Sequence, residues 1–355
     1  MKAGALSSET AQAAPWLAGG RIPALDGLRA VAVLLVLVSH VQLTNGFPRL
    51  GLPRFVDRVG TVGVDVFFVL SGFLITSLLC RELERSQRIS LRAFYVRRAL
   101  RILPAYLTFL VFVGLLSMSG RAQVSRGDWL AAATYTMNFR DQPAWEVGHI
   151  WSLSIEEHFY LLWPPLFAFL PRRTAVVGLS SVLLVEPFLR AAVLLWSPAR
   201  AIQVELWTFT RLDPIAAGCL LALLSRTPAG FAFLNRTTRF WPVALGTLGL
   251  ALVGSLESGK FDVDLAPSMI ALSLALLVWA AVQRAPRLLE TPTFIAIGLG
   301  SYSLYLWQEV FLNPHRGEWW AAFPQNLVLV VLFAVFSYRV IERPFLRLKQ
   351  RQAHG

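Results

Sequence analysis

Two ionisable side chains in one apolar stretch, Arg29 and His40, are the residues of this sequence best suited to chemistry. They are eleven residues apart, or about three helical turns, so both lie on one helix face about 16 Å apart. An imidazole, whose ordinary pKa is about 6.5, can transfer protons near neutral pH. A guanidinium binds phosphate through two parallel hydrogen bonds. The pair therefore predicts one long ligand, with phosphates near Arg29 and a reactive group near His40.

Further polar residues are predicted at the depth of His40, and they come from four other apolar segments. They are Asp65, Trp151, Glu156, Glu157, Arg211, Asp213, Gln308 and Glu309. Charges inside apolar spans cost several kcal/mol unless they are paired or hydrated, so they are candidates for function. We predict His40 as the catalytic base, with its tautomer held by Asp65 or by a glutamate of the fourth span.

Alternatives stay open at these positions. Asp65 could instead pair with Arg211 or with a backbone group. Glu156 and Glu157 are adjacent and point about 100° apart on a helix, so one of them is expected to face the cavity. The sequence alone does not decide which one, and Glu157 is taken as a catalytic candidate and Glu156 as a substrate contact.

A second polar layer lies at the other end of the same helices. Arg29 begins the first span, while Arg98 and Arg101 lead into the third, after a loop rich in arginine. These three residues are predicted to bind phosphate. The arginine run by itself also fits a loop that only fixes topology.

The composition defines the elements that position these residues. The chain of 355 residues is 55% hydrophobic and 15% charged, with a mean hydropathy of +0.56, which is typical of a membrane protein. Windows of bilayer length predict an all-α integral membrane protein of about ten spans. The spans lie near 28–46, 61–80, 101–120, 149–170, 174–196, 207–225, 238–256, 265–283, 294–312 and 326–346. The apolar piece 129–137 is too short to cross.

Lysine and arginine are more frequent in the loops on the side of the two termini, so both termini are predicted to be cytoplasmic. The expected organisation is a cytoplasmic segment 1–27, one membrane domain 28–346 and a cytoplasmic tail 347–355. The net charge of +12 follows this topology and does not indicate nucleic-acid binding.

Seven short motifs, in order along nearly the whole chain, resemble the acyltransferase 3 family of bacterial membrane O-acyltransferases. They are "LDGLRAVAVLLVLVSH", "GVDVFFVLSGFLIT", "RRALRILPAYL", "WSLSIEEHFYLLWP", "RLDPIAAGCLLA", "GSYSLYLWQEVF" and "IERPF". His40 matches the essential histidine of that family and Arg29 its paired basic residue. Arg98 and Arg101 match its basic positions before the third span. Many members have a histidine where this chain has Gln308, so no acid–base role is assigned there.

The resemblance implies a multi-pass enzyme of the bacterial cytoplasmic membrane. Cytosolic acyl-CoA, most commonly acetyl-CoA, would donate an acyl group to a hydroxyl of an extracytoplasmic or membrane-associated saccharide, glycolipid or other acceptor. Neither a metal nor a permanently bound cofactor is expected. Trp151, Glu156, Arg211 and Gln308 are assigned to substrate binding together with the three arginines.

Two mechanisms and two further classes of function remain. Neutral His40 could activate the acceptor hydroxyl directly, or it could first form a covalent acyl-histidine. A transporter or flippase would use the buried charges as a pathway, and a binding scaffold is a third reading. The sequence shows no paired, interrupted helices in corresponding halves, which counts against the transporter.

Overall fold

The structure, a computed structural model, describes residues 20–48, 53–254 and 265–352, and the regular secondary structure of these residues is entirely helical. The predicted all-α class is therefore confirmed. Of the predicted terminal segments 1–27 and 347–355, residues 1–19 and 353–355 lie outside the described residues, as do residues 255 and 256 of the predicted span 238–256.

The residues that the structure describes form sixteen α-helices, which are numbered in chain order. They are α1 (Pro23–Val41), α2 (Pro53–Ser86), α3 (Leu91–Met118), α4 (Arg126–Ala133), α5 (Trp145–Gly148), α6 (Ile150–Phe169), α7 (Arg172–Trp196), α8 (Ala201–Val204), α9 (Asp213–Leu224), α10 (Pro228–Thr237), α11 (Trp241–Gly254), α12 (Ala266–Gln283), α13 (Pro292–Leu299), α14 (Ser301–Phe311), α15 (Gln325–Phe336) and α16 (Arg343–Gln352). A π-helical segment, Ser337–Glu342, joins α15 directly to α16.

Local sequence signals account for several helix starts. Proline occupies the first turn of α1, where its missing N–H costs no hydrogen bond. The Ser90 hydroxyl accepts the Ala93 N–H at the start of α3. At the start of α4, Ser125 and Asp128 form a reciprocal capping box, which fixes this short helix between two loops.

Five described helices are long and apolar enough to cross a bilayer, namely α1, α2, α3, α7 and α12. The other predicted spans coincide with helices that are shorter, interrupted or more polar. The predicted span 294–312 is broken at Gly300 into α13 and α14, and only residues 213–224 of the predicted span 207–225 are α-helical. The membrane character stands, while the count of ten spans and the orientation of the termini stay predictions.

The outer surface carries large apolar side chains that a bilayer would cover. On α3, Val111 and Leu115 are 64% and 59% exposed, and on α7 Leu184 and Phe188 are 69% and 76% exposed. Exposed apolar surface of this extent is unfavourable in water. These two helices therefore line the outside of the bundle, whereas α1 and α2 form its packed centre.

The centre of the bundle depends on close contacts between backbones. A Cβ atom on Gly72 of α2 would collide with the carbonyl oxygen of Ile215, and one on Gly218 of α9 would collide with that of Val69. Reciprocal glycines let two helices approach closely, as small residues commonly do inside membranes.

Candidate active site

A cavity of about 920 Å³ opens at the end of the bundle where α1 begins, α2 ends and α3 begins. Seven arginines line it: Arg21, Arg29, Arg81, Arg85, Arg97, Arg98 and Arg101. Three acidic residues also line it: Asp26, Glu82 and Glu342. We call this space the basic cavity. Its excess of guanidinium groups attracts polyanions, and phosphate groups above all.

The arginines of the basic cavity differ in their partners. Arg29 lies 3.0 Å from Asp26 on its own helix, and Arg97 lies 3.3 Å from Glu82. Arg101 forms no ion pair with a carboxylate among the described residues, although it lines the deepest part of the cavity. Its guanidinium is therefore the most available of those named here for an incoming anion.

A smaller space of about 90 Å³ adjoins the basic cavity and shares lining residues with it. We call it the inner cavity. The residues that line both spaces are Arg29, Ser71, Arg98, Arg101, Tyr160 and Tyr302. The predicted phosphate-binding residues Arg29, Arg98 and Arg101 thus meet at the junction of the two cavities.

A hydrogen-bonded network forms one wall of this junction. The Ser71 hydroxyl donates to Glu156 Oε1 at 2.7 Å, and the Tyr160 hydroxyl donates to Ser71 Oγ at 2.8 Å. Arg98 lies 3.4 Å above the Tyr160 ring and 3.8 Å from carboxylate oxygens of both Glu156 and Glu157. Glu156 lines the inner cavity, so it is the glutamate of the pair that faces the cavity.

Three side chains meet at the end of the bundle opposite the basic cavity. Nε2 of His40, in the last turn of α1, lies 3.2 Å from Oε1 of Glu309 on α14. Oε2 of Glu309 accepts the backbone N–H of His149 at 3.1 Å and lies 3.0 Å from Nδ1 of the same residue. His149 directly precedes α6. We call His40, His149 and Glu309 the histidine cluster.

Tyr305 connects the inner cavity to the histidine cluster. It lines the inner cavity, and its hydroxyl donates to the backbone oxygen of His149 at 3.0 Å. Ser152, which lines the same cavity, lies 2.5 Å from the Tyr305 hydroxyl. The far wall of the inner cavity is therefore in direct contact with the cluster that contains His40.

The carboxylate that contacts His40 is not the one predicted. Asp65 accepts a hydrogen bond of 2.8 Å from Arg211, and both side chains are 1% exposed. Glu157 faces Arg98 instead of His40. The prediction that Asp65 or a glutamate of the fourth span orients His40 is therefore wrong, and Glu309 takes this position. The reason is that α14 packs beside α1, while α9 packs beside α2. Glu309 was placed at this depth by its sequence position, but it was given no role.

The remaining predicted residues lie apart from the cavities. Arg211, buried in its pair with Asp65, is not positioned to contact a substrate in either cavity. Trp151 packs edge-on against Phe68. Gln308 is fully buried, and neither polar atom of its side chain has a hydrogen-bond partner among the described residues. Substrate binding by Trp151 and Gln308 stays a prediction.

The Asp65–Arg211 pair allows a stability prediction. Asp65→Ala leaves a buried guanidinium without its partner, so the free energy of unfolding is expected to fall by about 3–5 kcal/mol. The double variant Asp65→Leu with Arg211→Met removes both charges and should regain most of this loss. Thermal unfolding in detergent measures both effects, and an unchanged Asp65→Ala variant would contradict the pairing. A double variant that regains stability but loses activity would indicate that this pair has a role in the reaction as well as in stability.

A large basic cavity at one end of a helical membrane protein, together with polar residues that converge inside the bundle, is typical of a membrane-embedded enzyme. The chain belongs to the acyltransferase 3 family, since the model of that family's acyltransferase domain matches residues 22–340. The resemblance seen in the sequence motifs and the acyltransferase class are thereby confirmed.

Several curated relatives are similar to most of the chain. It is 30% identical, over 91% of its length, to the O-acetyltransferase OatA of Staphylococcus aureus (strain NCTC 8325 / PS 47). It is 28% identical, over the same share, to the putative O-acetyltransferases SACOL0978 of S. aureus strain COL and SAS0844 of strain MSSA476. The chain spans 57% of the length of each of these relatives. No solved structure matches the chain.

Proposed function

We propose that this protein is a membrane O-acetyltransferase. It takes an acetyl group from acetyl-CoA in the basic cavity and transfers it to a hydroxyl of a saccharide or other glycoconjugate at the opposite end of the bundle. The observation that carries the proposal is that the two cavities share six lining residues, so that a cluster of arginines adjoins the cavity whose far wall contacts His149. The names of the relatives support acetyl as the group transferred.

The shape of the two cavities fits the parts of a coenzyme A thioester. Its phosphates are anions that guanidinium groups bind, and its slender pantetheine arm carries the thioester away from them. Arg29 and His40 are separated by about 16 Å along α1. With phosphates near Arg29, Arg98 and Arg101, the arm lies in the inner cavity and the thioester reaches the histidine cluster.

His40 supplies the base in this proposal. Its Nδ1 lies 3.0 Å from the carbonyl oxygen of Val36 and its Nε2 lies 3.2 Å from Oε1 of Glu309, so each ring nitrogen has an acceptor for its hydrogen when the ring is protonated. The neutral imidazole takes the proton of the acceptor hydroxyl as its oxygen attacks the thioester carbonyl carbon. The C–S bond breaks, and the proton passes to the leaving sulfur, which yields an ester and the free thiol of coenzyme A.

The arginine-rich end faces the cytoplasm in this proposal, because positively charged loops are retained there, and the membrane is the bacterial cytoplasmic membrane. The donor then enters from the cytosol, and the acceptor meets His40 from the outer side.

The test uses the purified protein in sealed vesicles with radiolabelled acetyl-CoA on one side and hydroxyl acceptors enclosed on the other. The expected result is thiol release that depends on the acceptor, with the label recovered on the enclosed acceptor as an alkali-labile ester. Movement of an acceptor without thiol release would favour a transporter. The absence of both, with a folded protein and a broad acceptor panel, would overturn the proposal.

A further inference from the structure

The carboxylate of Glu309 is shared by two histidines that come from different parts of the chain. Oε1 faces Nε2 of His40, while Oε2 receives both the backbone N–H and the ring of His149. The side chains of His149 and Glu309 are buried, and that of His40 is 22% exposed. A reactant can therefore reach His40, whereas its two neighbours are enclosed.

Every ring nitrogen of the two histidines faces an oxygen that can only accept a hydrogen bond. Nδ1 of His40 faces the Val36 carbonyl oxygen at 3.0 Å, and Nε2 of His149 faces the Leu306 carbonyl oxygen at 3.1 Å. The other two ring nitrogens share the carboxylate of Glu309. The imidazolium form of each ring is therefore the form in which both nitrogens are hydrogen-bonded.

A proton on Nδ1 of His149 gives Glu309 a second donor from the same residue, beside the backbone N–H. That carboxylate is then held in place and keeps its charge. In the imidazolium form of His40, the N–H of Nε2 points to Oε1 of Glu309, 3.2 Å away. A fixed negative charge beside a developing cation needs no rearrangement during the reaction.

We infer that Glu309 and His149 are positioning residues for the transfer reaction, in which His149 fixes Glu309 and Glu309 stabilises the imidazolium form of His40. This inference rests on the proposed function. Neither residue touches the acyl group or exchanges its proton with the substrate: the hydroxyl proton goes to the imidazole of His40, and the imidazolium then gives a proton to the leaving sulfur.

The competing reading is a structural link, because the same contacts join α14 to α1 and to the start of α6. Glu309→Gln separates the two readings. The glutamine oxygen can accept from His149 and its amide can donate to Nε2 of His40, so every hydrogen bond is kept while the charge is lost and the basic lone pair is occupied. A structural link predicts nearly unchanged transfer in this variant.

We expect Glu309→Gln to lower kcat about 100-fold or more, with the KM for acetyl-CoA within about twofold of the wild-type value. Glu309→Asp keeps the charge and is expected to recover part of the rate. Nearly wild-type kcat in a well-folded Glu309→Gln protein would overturn the inference.

Position 149 offers a matched pair of variants. The asparagine amide nitrogen lies where Nδ1 of the imidazole was, so His149→Asn keeps the donor to Glu309 and loses the one to Leu306. The glutamine amide nitrogen lies where Nε2 was, so His149→Gln does the reverse. We expect Asn to retain most of kcat and Gln to lose about tenfold or more. The opposite order would overturn the inference.

A measurement that does not use turnover keeps this test separate from that of the proposed function. The chain has only five histidines, so the ¹⁵N NMR signals of their rings can be assigned with single variants. His149→Gln and Glu309→Gln are expected to shift the Nε2 signal of His40, and His149→Asn to leave it nearly unchanged. Unshifted His40 signals in the first two variants would overturn the inference, whether or not the wild-type protein transfers acetyl groups.

Discussion

His40→Ala is expected to insert and fold normally and to lose acetyl transfer by about 1,000-fold or more. The change removes the imidazole that contacts Glu309 at the exposed side of the histidine cluster. Without it, the hydroxyl proton has no acceptor as the oxygen attacks. Thiol release from acetyl-CoA by protein in lipid, at saturating acceptor, measures the effect.

His158→Ala is the matched control for this prediction. Like His40, His158 is a partly buried histidine, but it belongs to α6. Its Nδ1 lies 2.7 Å from Thr208 Oγ1, and it lines neither described cavity. Its replacement should leave transfer within about twofold of wild type. Equal losses in both variants would indicate a folding defect, and turnover by His40→Ala at the wild-type rate would remove His40 from the mechanism.

The same assay distinguishes the two routes of transfer. Direct attack of the hydroxyl on the thioester needs both substrates bound together, so double-reciprocal plots intersect. A covalent acyl-histidine gives parallel lines, and thiol is released in a burst before the acceptor binds. Both routes use the imidazole of His40.

The sequence predicted the relative depth of Arg29 and His40, because depth along one helix follows from counting residues, whereas Glu156 and Glu157, also assigned to the depth of His40, lie against Arg98 at the junction of the two cavities. Arg29 lines the basic cavity and His40 lies at the other end of α1, as their spacing indicates. Glu186 and Arg190, four residues apart on α7 with the acid first, also pair as this spacing favours, with an N–O distance of 3.5 Å. These relations lie within single helices and need no knowledge of packing.

Partners on different helices were not predictable in the same way. Asp65, Glu157 and Glu309 were all assigned to the depth of His40, yet only Glu309 contacts it, because the choice depends on which helices are neighbours and how each is rotated. His149 was missed although it directly precedes α6 in the sequence. Its position at the start of a helix that enters at the level of His40 is the signal that could have identified it.

The same limit applies to the spans themselves. Hydropathy located the helices, but not the break at Gly300, which separates α13 on α1 from α14 beside the histidine cluster. An apolar window reports the mean character of twenty residues and is insensitive to one backbone turn. The break matters for function, since α14 carries Tyr302, Tyr305 and Glu309.

Arg101→Gln is expected to raise the KM for acetyl-CoA by about 10- to 100-fold, with much less change in kcat, because a charge-assisted bond to phosphate contributes about 1.5–3 kcal/mol. Arg101 lines both cavities and forms no ion pair among the described residues. A donor without the phosphates of coenzyme A, acetyl-pantetheine, should be used equally well by the variant and the wild type.

Arg92→Gln is the control, because it changes the net charge by the same amount on the same helix, at an exposed position outside both cavities. If Arg92→Gln raised the KM as much, general attraction by the basic end would explain the effect, and an unchanged KM in Arg101→Gln would place the donor phosphates elsewhere.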